Sequence, residues 1–147
     1  MSDVLLLNGP NLNLLGSREP ELYGASTLEE VETLVKNKVE SAGYTLESYQ
    51  TNAEHLLIEK VQASMGISRF VLINPGALTH TSIGLRDAFL SVAVPFVEVH
   101  VSNIFSREEF RQHSYLSDIA VGCIAGMGVS GYAYAADFAL SWLSEDK

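Results

Sequence analysis

The feature that most constrains this chain is an alternation of two kinds of segment. Short β-rich runs, several of them apolar on consecutive positions, occur at Val4–Leu7, Tyr44–Tyr49, Arg69–Ile73, Phe96–Val101 and Ile119–Ile124. A strand that is apolar residue after residue has both faces buried, the condition of a parallel sheet covered by helices. Between the runs, apolar residues recur at helical spacing. Residues 27–42 carry Leu28, Val31, Val35, Val39 and Ala42 on one face. Residues 54–65 place Leu57, Val61 and Met65 together, and residues 82–92 place Leu85, Ala88, Phe89 and Val92. A last helix, roughly 129–144, carries Val129, Tyr132, Ala136, Leu140 and Leu143. A Ser26-to-Glu29 capping box opens the first of these helices and Gly43 stops it.

Strand and helix in alternation to the end define an α/β protein. Five strands in 147 residues suit a flavodoxin-like, doubly wound five-stranded parallel sheet flanked by helices. A closed α/β barrel needs about 250 residues. The length fits one domain spanning 1–147. Residues 8–26 hold no periodicity but contain Gly9, Pro10, Gly16, Pro20 and Gly24. An irregular stretch this long in a compact domain suggests a functional loop, and a lid is expected at about 16–25.

Charge narrows the partners. The formal net charge is -9, from 9 basic and 18 acidic residues. Such a surface repels phosphate backbones and anionic bilayers, so neither nucleic acid nor a membrane is an expected partner. An anionic substrate must be held by a few placed cations or backbone N–H groups against the global field. The single cysteine, Cys123, makes no internal disulfide and no Cys-rich zinc site, and is expected to be an inert core residue. The start MSDVLLLN lacks the basic region and long apolar run of a secretory signal, so a soluble, cytoplasmic protein is expected.

Ligands of open parallel sheets bind beyond the carboxyl ends of the strands. The first strand is followed by Asn8-Gly9-Pro10-Asn11-Leu12-Asn13, then Arg18 and Tyr23. The third is followed by Asn74-Pro75-Gly76 and Thr79-His80-Thr81-Ser82. The fourth carries Glu98, His100 and Ser102 on one face, with Asn103, Arg107 and Arg111 beyond. Three polar residues facing one way at a strand end need a partner or a ligand. Taken singly, Asn8, Gly9, Asn13 and Asn74-Pro75-Gly76 read equally as turn formers.

Other chemistries find no support. Gly126-Met127-Gly128-Val129-Ser130-Gly131 spells GxGxxG, but it precedes the last helix, and no strand follows to supply a ribose-binding acid. Its glycines are expected to allow close approach or to open the helix. There is no P-loop, no zinc spacing and no aspartate ending the third strand. The lysines, Lys36, Lys38, Lys60 and Lys147, lie away from strand ends, which disfavours a Schiff base. Ser130 is not in a nucleophile elbow, because Tyr132 stands where the second glycine belongs. On the residues alone two readings stay open. One is an acid–base enzyme acting on a small hydroxylated anion. The other is a binding module for flavin mononucleotide or a sugar acid.

Five blocks resemble the type II 3-dehydroquinate dehydratases: LNGPNLNLLG at 7–16, REPELYG at 18–24, INPGALTHTSIGLRDA at 73–88, PFVEVHVSNI at 95–104 and REEFRQHSYLSDIAVG at 107–122. The resemblance implies a flavodoxin-like hydro-lyase that needs no cofactor and no metal. It converts 3-dehydroquinate to 3-dehydroshikimate, a step of the shikimate route to aromatic amino acids. It also implies a homododecamer built as a tetramer of trimers. Carried over by position, Tyr23 is the base, Arg18 the lid arginine that keeps it ionised, and His100 the acid. Glu98 orients His100, and Asn11 holds a water near the enolate oxygen. Asn74, Gly76, His80, Val101, Ser102 and Arg111 match substrate contacts, and Arg107 a lid-side arginine. Asp87 reaches the neighbouring subunit's site. Ala53, Leu78 and Phe105 depart from common family residues, none of them within this set.

Overall fold

The computed structural model describes residues 2–17, 21 and 25–145. Its strands are β1 (Val4–Asn8), β2 (Leu46–Gln50), β3 (Phe70–Asn74), β4 (Phe96–His100) and β5 (Gly122–Ala125). Its α-helices are α1 (Leu28–Ser41), α2 (Glu54–Ala63), α3 (Ile83–Val92) and α4 (Ser130–Ser144). All strand pairs are parallel, in the order β2-β1-β3-β4-β5. This is the flavodoxin-like order, with its reversal of winding between β1 and β3.

The consecutive apolar runs are explained by two cores. On one face Val4, Leu6, Phe70, Leu72, Val97 and Val99 meet α1 and α4. On the other, Leu5, Leu7, Val71, Ile73 and Phe96 meet α2 and α3. The alternate residues of each strand thus supply opposite layers. Every residue of β1, β3 and β4 is buried. The apolar runs end in polar residues at one level: Gln50, Asn8 and Asn74 are register partners across β2, β1 and β3.

Several local expectations shift. The α1 cap is Thr27, not Ser26: Thr27 Oγ1 accepts from Glu30 N at 3.2 Å. That register lets Leu28, the first helical residue, pack against the core. Ala42 is the exposed C-cap and not part of the buried face. Gly43, with φ +90°, follows it and ends the helix as expected. Met65 lies beyond the end of α2 and is 60% exposed, because the chain turns at Gly66 with φ +73°. Cys123 is exposed rather than in the core. It sits on β5, an edge strand, level with Glu98 of β4. The helical layers cover the neighbouring strands and leave that side of the edge open. Residues 119–121 form the turn before β5 and not its start.

Two glycines bring the loops after β1 and β3 together. A Cβ on Gly9 would stand 2.4 Å from the Pro75 carbonyl oxygen. A Cβ on Gly76, whose φ is +59°, would stand 2.8 Å from the Pro10 oxygen. Gly9 N donates to the Asn74 carbonyl at 2.8 Å, so the approach is hydrogen-bonded as well as close. Gly9→Ala therefore forces backbone apart from backbone. It is expected to lower stability by about 1–3 kcal/mol, read from chemical denaturation, and to weaken ligand binding in the cleft the two loops form.

Candidate active site

The C-terminal ends of β1, β3 and β4 open into a cleft with about 700 Å³ of space, part of it open to solvent. The loop after β1 contributes Asn11, Leu12 and Leu15, and the loop after β3 contributes Asn74, Gly76 and His80. The end of β4 and the segment beyond it contribute His100, Val101, Ser102, Ile104, Arg107 and Arg111. One cleft thus gathers polar residues spread over a hundred positions of sequence. Asp87 is not in its lining; it is exposed on α3. Arg18 and Tyr23, with most of the expected lid, lie outside the described residues.

Glu98 and His100 form the centre. Both point to the α2/α3 side of β4, as the pleat requires for residues two apart. Glu98 is 0% exposed, and its Oε2 meets His100 Nε2. Burial alone would push its carboxyl up. The His100 contact and the hydroxyl bonds outweigh this and hold it at about 2. Thr79 Oγ1 donates to Oε2 at 2.6 Å, and Ser117 Oγ donates to Oε1 at 2.6 Å. Ser114 Oγ lies 3.0 and 2.9 Å from the two carboxylate oxygens. An ionised Glu98 only accepts, so Nε2 of His100 carries a proton. Among the described residues no other hydrogen bond to the His100 ring is made, which leaves Nδ1 for the cleft.

The His80 ring stacks near His100, with centroids 6.5 Å apart and planes 20° from parallel. Its Nδ1 donates to the His113 carbonyl at 2.8 Å, so Nε2 is the free nitrogen. Burial lowers the His80 pKa, and the positive charges of His100 and Arg111 lower it further. His80 is thereby kept neutral at pH 7, presenting an acceptor to the cleft or receiving a ligand hydroxyl.

The cations at the rim are held by short-range contacts. Arg111 Nε lies 3.1 and 3.2 Å from the Glu108 carboxylate oxygens. Arg107 Nη1 donates to Ser102 Oγ at 3.3 Å. These guanidiniums supply the local positive field that a chain of net charge -9 otherwise lacks.

Asn11 adopts φ +71°, a left-handed conformation that asparagine tolerates. Its N–H donates to Asn52 Oδ1 at 2.9 Å, while Gln50 Nε2 donates to the Gly9 carbonyl at 3.2 Å. The Asn74 amide is committed at both ends: Nδ2 donates to Tyr132 Oη at 2.8 Å, and Oδ1 accepts from Gly76 N at 3.1 Å. Tyr132 in turn donates to Asn8 Oδ1 at 2.6 Å. Burial pushes the Tyr132 phenol up, so it stays protonated.

Sequence reasoning missed Gln50, Asn52, Ser114, Ser117 and the role of Tyr132. Gln50 carried a usable signal, since it is polar at the end of a strand. The serines carried none, because isolated serines in a polar loop look like surface. The glycine-rich stretch behaves as expected: a Cβ on Gly126 would meet Asn103 at 3.0 Å, and one on Gly131 would meet Ile124 at 3.3 Å.

A doubly wound sheet with a buried carboxylate–imidazole pair under an arginine-rimmed cleft has the architecture of an α/β enzyme. Comparison with known proteins makes this specific. The sequence model of the family described as Dehydroquinase class II matches residues 2–140. The 3-dehydroquinate dehydratase of Janthinobacterium is 60% identical over 143 residues, 96% of this chain and 98% of that protein. The 3-dehydroquinate dehydratase of Glaesserella parasuis is 53% identical over 147 residues, the full length of both. The crystal structure of type II dehydroquinase from Butyrivibrio crossotus superposes with a TM-score of 0.89 at 40% identity, covering 92% of this chain and 95% of that one. The type II dehydroquinase of Propionibacterium acnes gives 0.87 at 40% identity, covering 99% and 98%. The chain belongs to the class II dehydroquinase family.

Proposed function

We propose that the protein removes water from 3-dehydroquinate to give 3-dehydroshikimate, by anti elimination through an enolate, as a step of the shikimate pathway. The single observation that carries this reading is the buried Glu98–His100 pair opening onto the cleft, in a chain of this family.

A proton beside a ketone is weakly acidic, so its removal needs a strong base and a stabilised enolate. Tyr23 serves as the base in its ionised form, and Arg18 makes that form available near neutral pH. Asn11 holds a water against the enolate oxygen. His100 then gives the Nδ1 proton to the departing hydroxyl, so that water leaves instead of hydroxide. Glu98 holds the ring and stabilises its charged form. Val101 and Ser102 receive the substrate carboxylate, while Gly76, His80 and Arg111 fix the ring hydroxyls beside Asn74. The Asn74 amide is committed within the fold, so we assign it chiefly to shaping the loop. Residues 16–25 act as a lid, with Arg107 on the lid side. No cofactor enters these steps.

Asp87, exposed on α3 outside its own cleft, serves the site of a neighbouring subunit. The working form is then a homododecamer, a tetramer of trimers, in the cytoplasm. That assembly is expected to sediment far above the 16.0 kDa chain.

The test is direct. Purified protein is mixed with 3-dehydroquinate in the presence of a metal chelator, and the ultraviolet absorbance of the conjugated enone product is followed. A rise that survives the chelator and borohydride pre-treatment is expected. No rise from folded, assembled protein overturns the reading.

A further inference from the structure

The proton inventory of the Glu98–His100 pair raises a question that the pair alone does not answer. In a buried site of low dielectric, an ion pair competes with a neutral pair in which the carboxyl holds the proton. In the neutral form His100 still has an N–H, but a neutral imidazole is far too weak an acid to protonate a leaving hydroxyl. Something must favour the charged arrangement.

The surroundings of Glu98 supply it. Its two oxygens receive Thr79 at 2.6 Å, Ser117 at 2.6 Å and Ser114 at 2.9 and 3.0 Å. The hydroxyls come from two separate segments, the turn after β3 and the loop before β5. Ser114 is itself oriented, because its oxygen accepts Leu116 N at 3.0 Å and Ser117 N at 3.1 Å. Its oxygen also lies 3.1 Å from Thr79 Oγ1, whose own proton goes to Glu98, so Ser114 donates to the carboxylate or to Thr79 within the same cluster. Donors of this kind stabilise a carboxylate and do nothing comparable for a protonated carboxyl. The other titratable or charged groups near the pair are His80 on the turn after β3, Arg107 and Arg111 beyond β4, and Cys123 on β5. None of these donates to Glu98.

We infer that Thr79, Ser114 and Ser117 form a hydroxyl cage that keeps the shared proton on His100, with Ser117 a positioning residue for the reaction. The inference rests on the reading of His100 as the acid. Ser117 is the cleanest member to test. It does not line the cleft, and among the described residues the other side chain its hydroxyl meets is Cys123, with Sγ at 3.8 Å.

The experiment is solid-state ¹⁵N NMR of the intact, histidine-labelled protein at neutral pH, paired with steady-state kinetics. The chain has 4 histidines, so His100 is assigned from the signal lost in His100→Asn. The wild type is expected to show His100 as imidazolium. Ser117→Ala is expected to show a neutral His100 fraction and a kcat lower by about tenfold, the size of one hydrogen bond to a charged group, with KM within about twofold. Ser117→Thr, which keeps the hydroxyl, is expected to restore both. Thr79→Val repeats the test from the other carboxylate oxygen at nearly constant volume, and decides the matter if the 117 variant does not fold. An unchanged imidazolium fraction in the folded variants overturns the cage, whatever the rate does. A redistributed proton with unchanged turnover supports the cage and removes His100 as the acid.

Discussion

His100→Ala is expected to reduce kcat by about 10²–10⁴-fold, the range that one general acid contributes, while the protein stays folded and assembled. The expectation comes from geometry. Nε2 is occupied by Glu98, which leaves Nδ1 for the cleft, and His80 is the one other histidine that lines it. His80 is the nearest ring, but burial lowers its pKa and its Nδ1 is bonded to the His113 carbonyl. It cannot substitute as a strong acid at neutral pH. Binding contacts from Ser102 and the rim arginines survive the change, so KM should move little compared with kcat. Measuring both by the enone absorbance, with sedimentation to show intact assembly, checks the assignment. A variant within about threefold of wild-type kcat would take the acid role away from this residue.

The second large effect is expected at Tyr23. Tyr23→Phe keeps the ring and removes the hydroxyl to which we assign the proton transfer, so turnover should fall by about 10³-fold or more, within the range for a general base. Arg18→Ala should also lower the rate, by a different route. Without the guanidinium the phenol returns toward its ordinary pKa of about 10, so activity lost at neutral pH is partly regained as the pH is raised. The sign follows from the charge: a cation favours the anionic phenolate, and its loss raises the pKa. Partial recovery at high pH in Arg18→Ala, and none in Tyr23→Phe, separates activation of the base from the base itself. A Tyr23→Phe variant near the wild-type rate would require another base.

Glu98, the third participant, illustrates why chemistry and stability are joined at this site. A fully buried carboxylate is costly unless it is paired and hydrogen-bonded. Here the hydrogen bonds that offset its burial also hold its acid–base partner. One strand carries both groups, and hydroxyls from the turn after β3 and the loop before β5 offset the burial of the carboxylate.

How much of this was legible beforehand depends on range. Consecutive apolar positions at Val4–Leu7 and Phe70–Ile73 imply burial on both faces because strand side chains alternate. That inference needs only neighbours in sequence, and the parallel sheet confirms it. Glu98 and His100 could be aligned in the same way, by counting along one strand, whereas Ser102 lies beyond the end of β4. Helix faces were legible where the helix continued, at Val31, Val35 and Val39, and failed at the ends, at Ala42 and Met65. There a turn residue outside the repeating pattern decides where the helix stops. Cys123 was misread because an apolar strand composition does not reveal which strand will be the sheet's edge.

By itself, then, the sequence determined the element order, the two-faced burial of the central strands and the presence of acid–base groups at their carboxyl ends. These follow from local periodicity and chain connectivity. Only the tertiary structure decided which hydroxyls reach Glu98, from positions 16 and 19 residues away. The same holds for Tyr132 bridging Asn74 and Asn8, across 58 and 124 residues. It also decided that Gly9 and Gly76 lie against the opposite loops. A serine or tyrosine hydroxyl has no local signature of such a role, because its worth as a donor arises only when folding removes water and leaves one acceptor within reach.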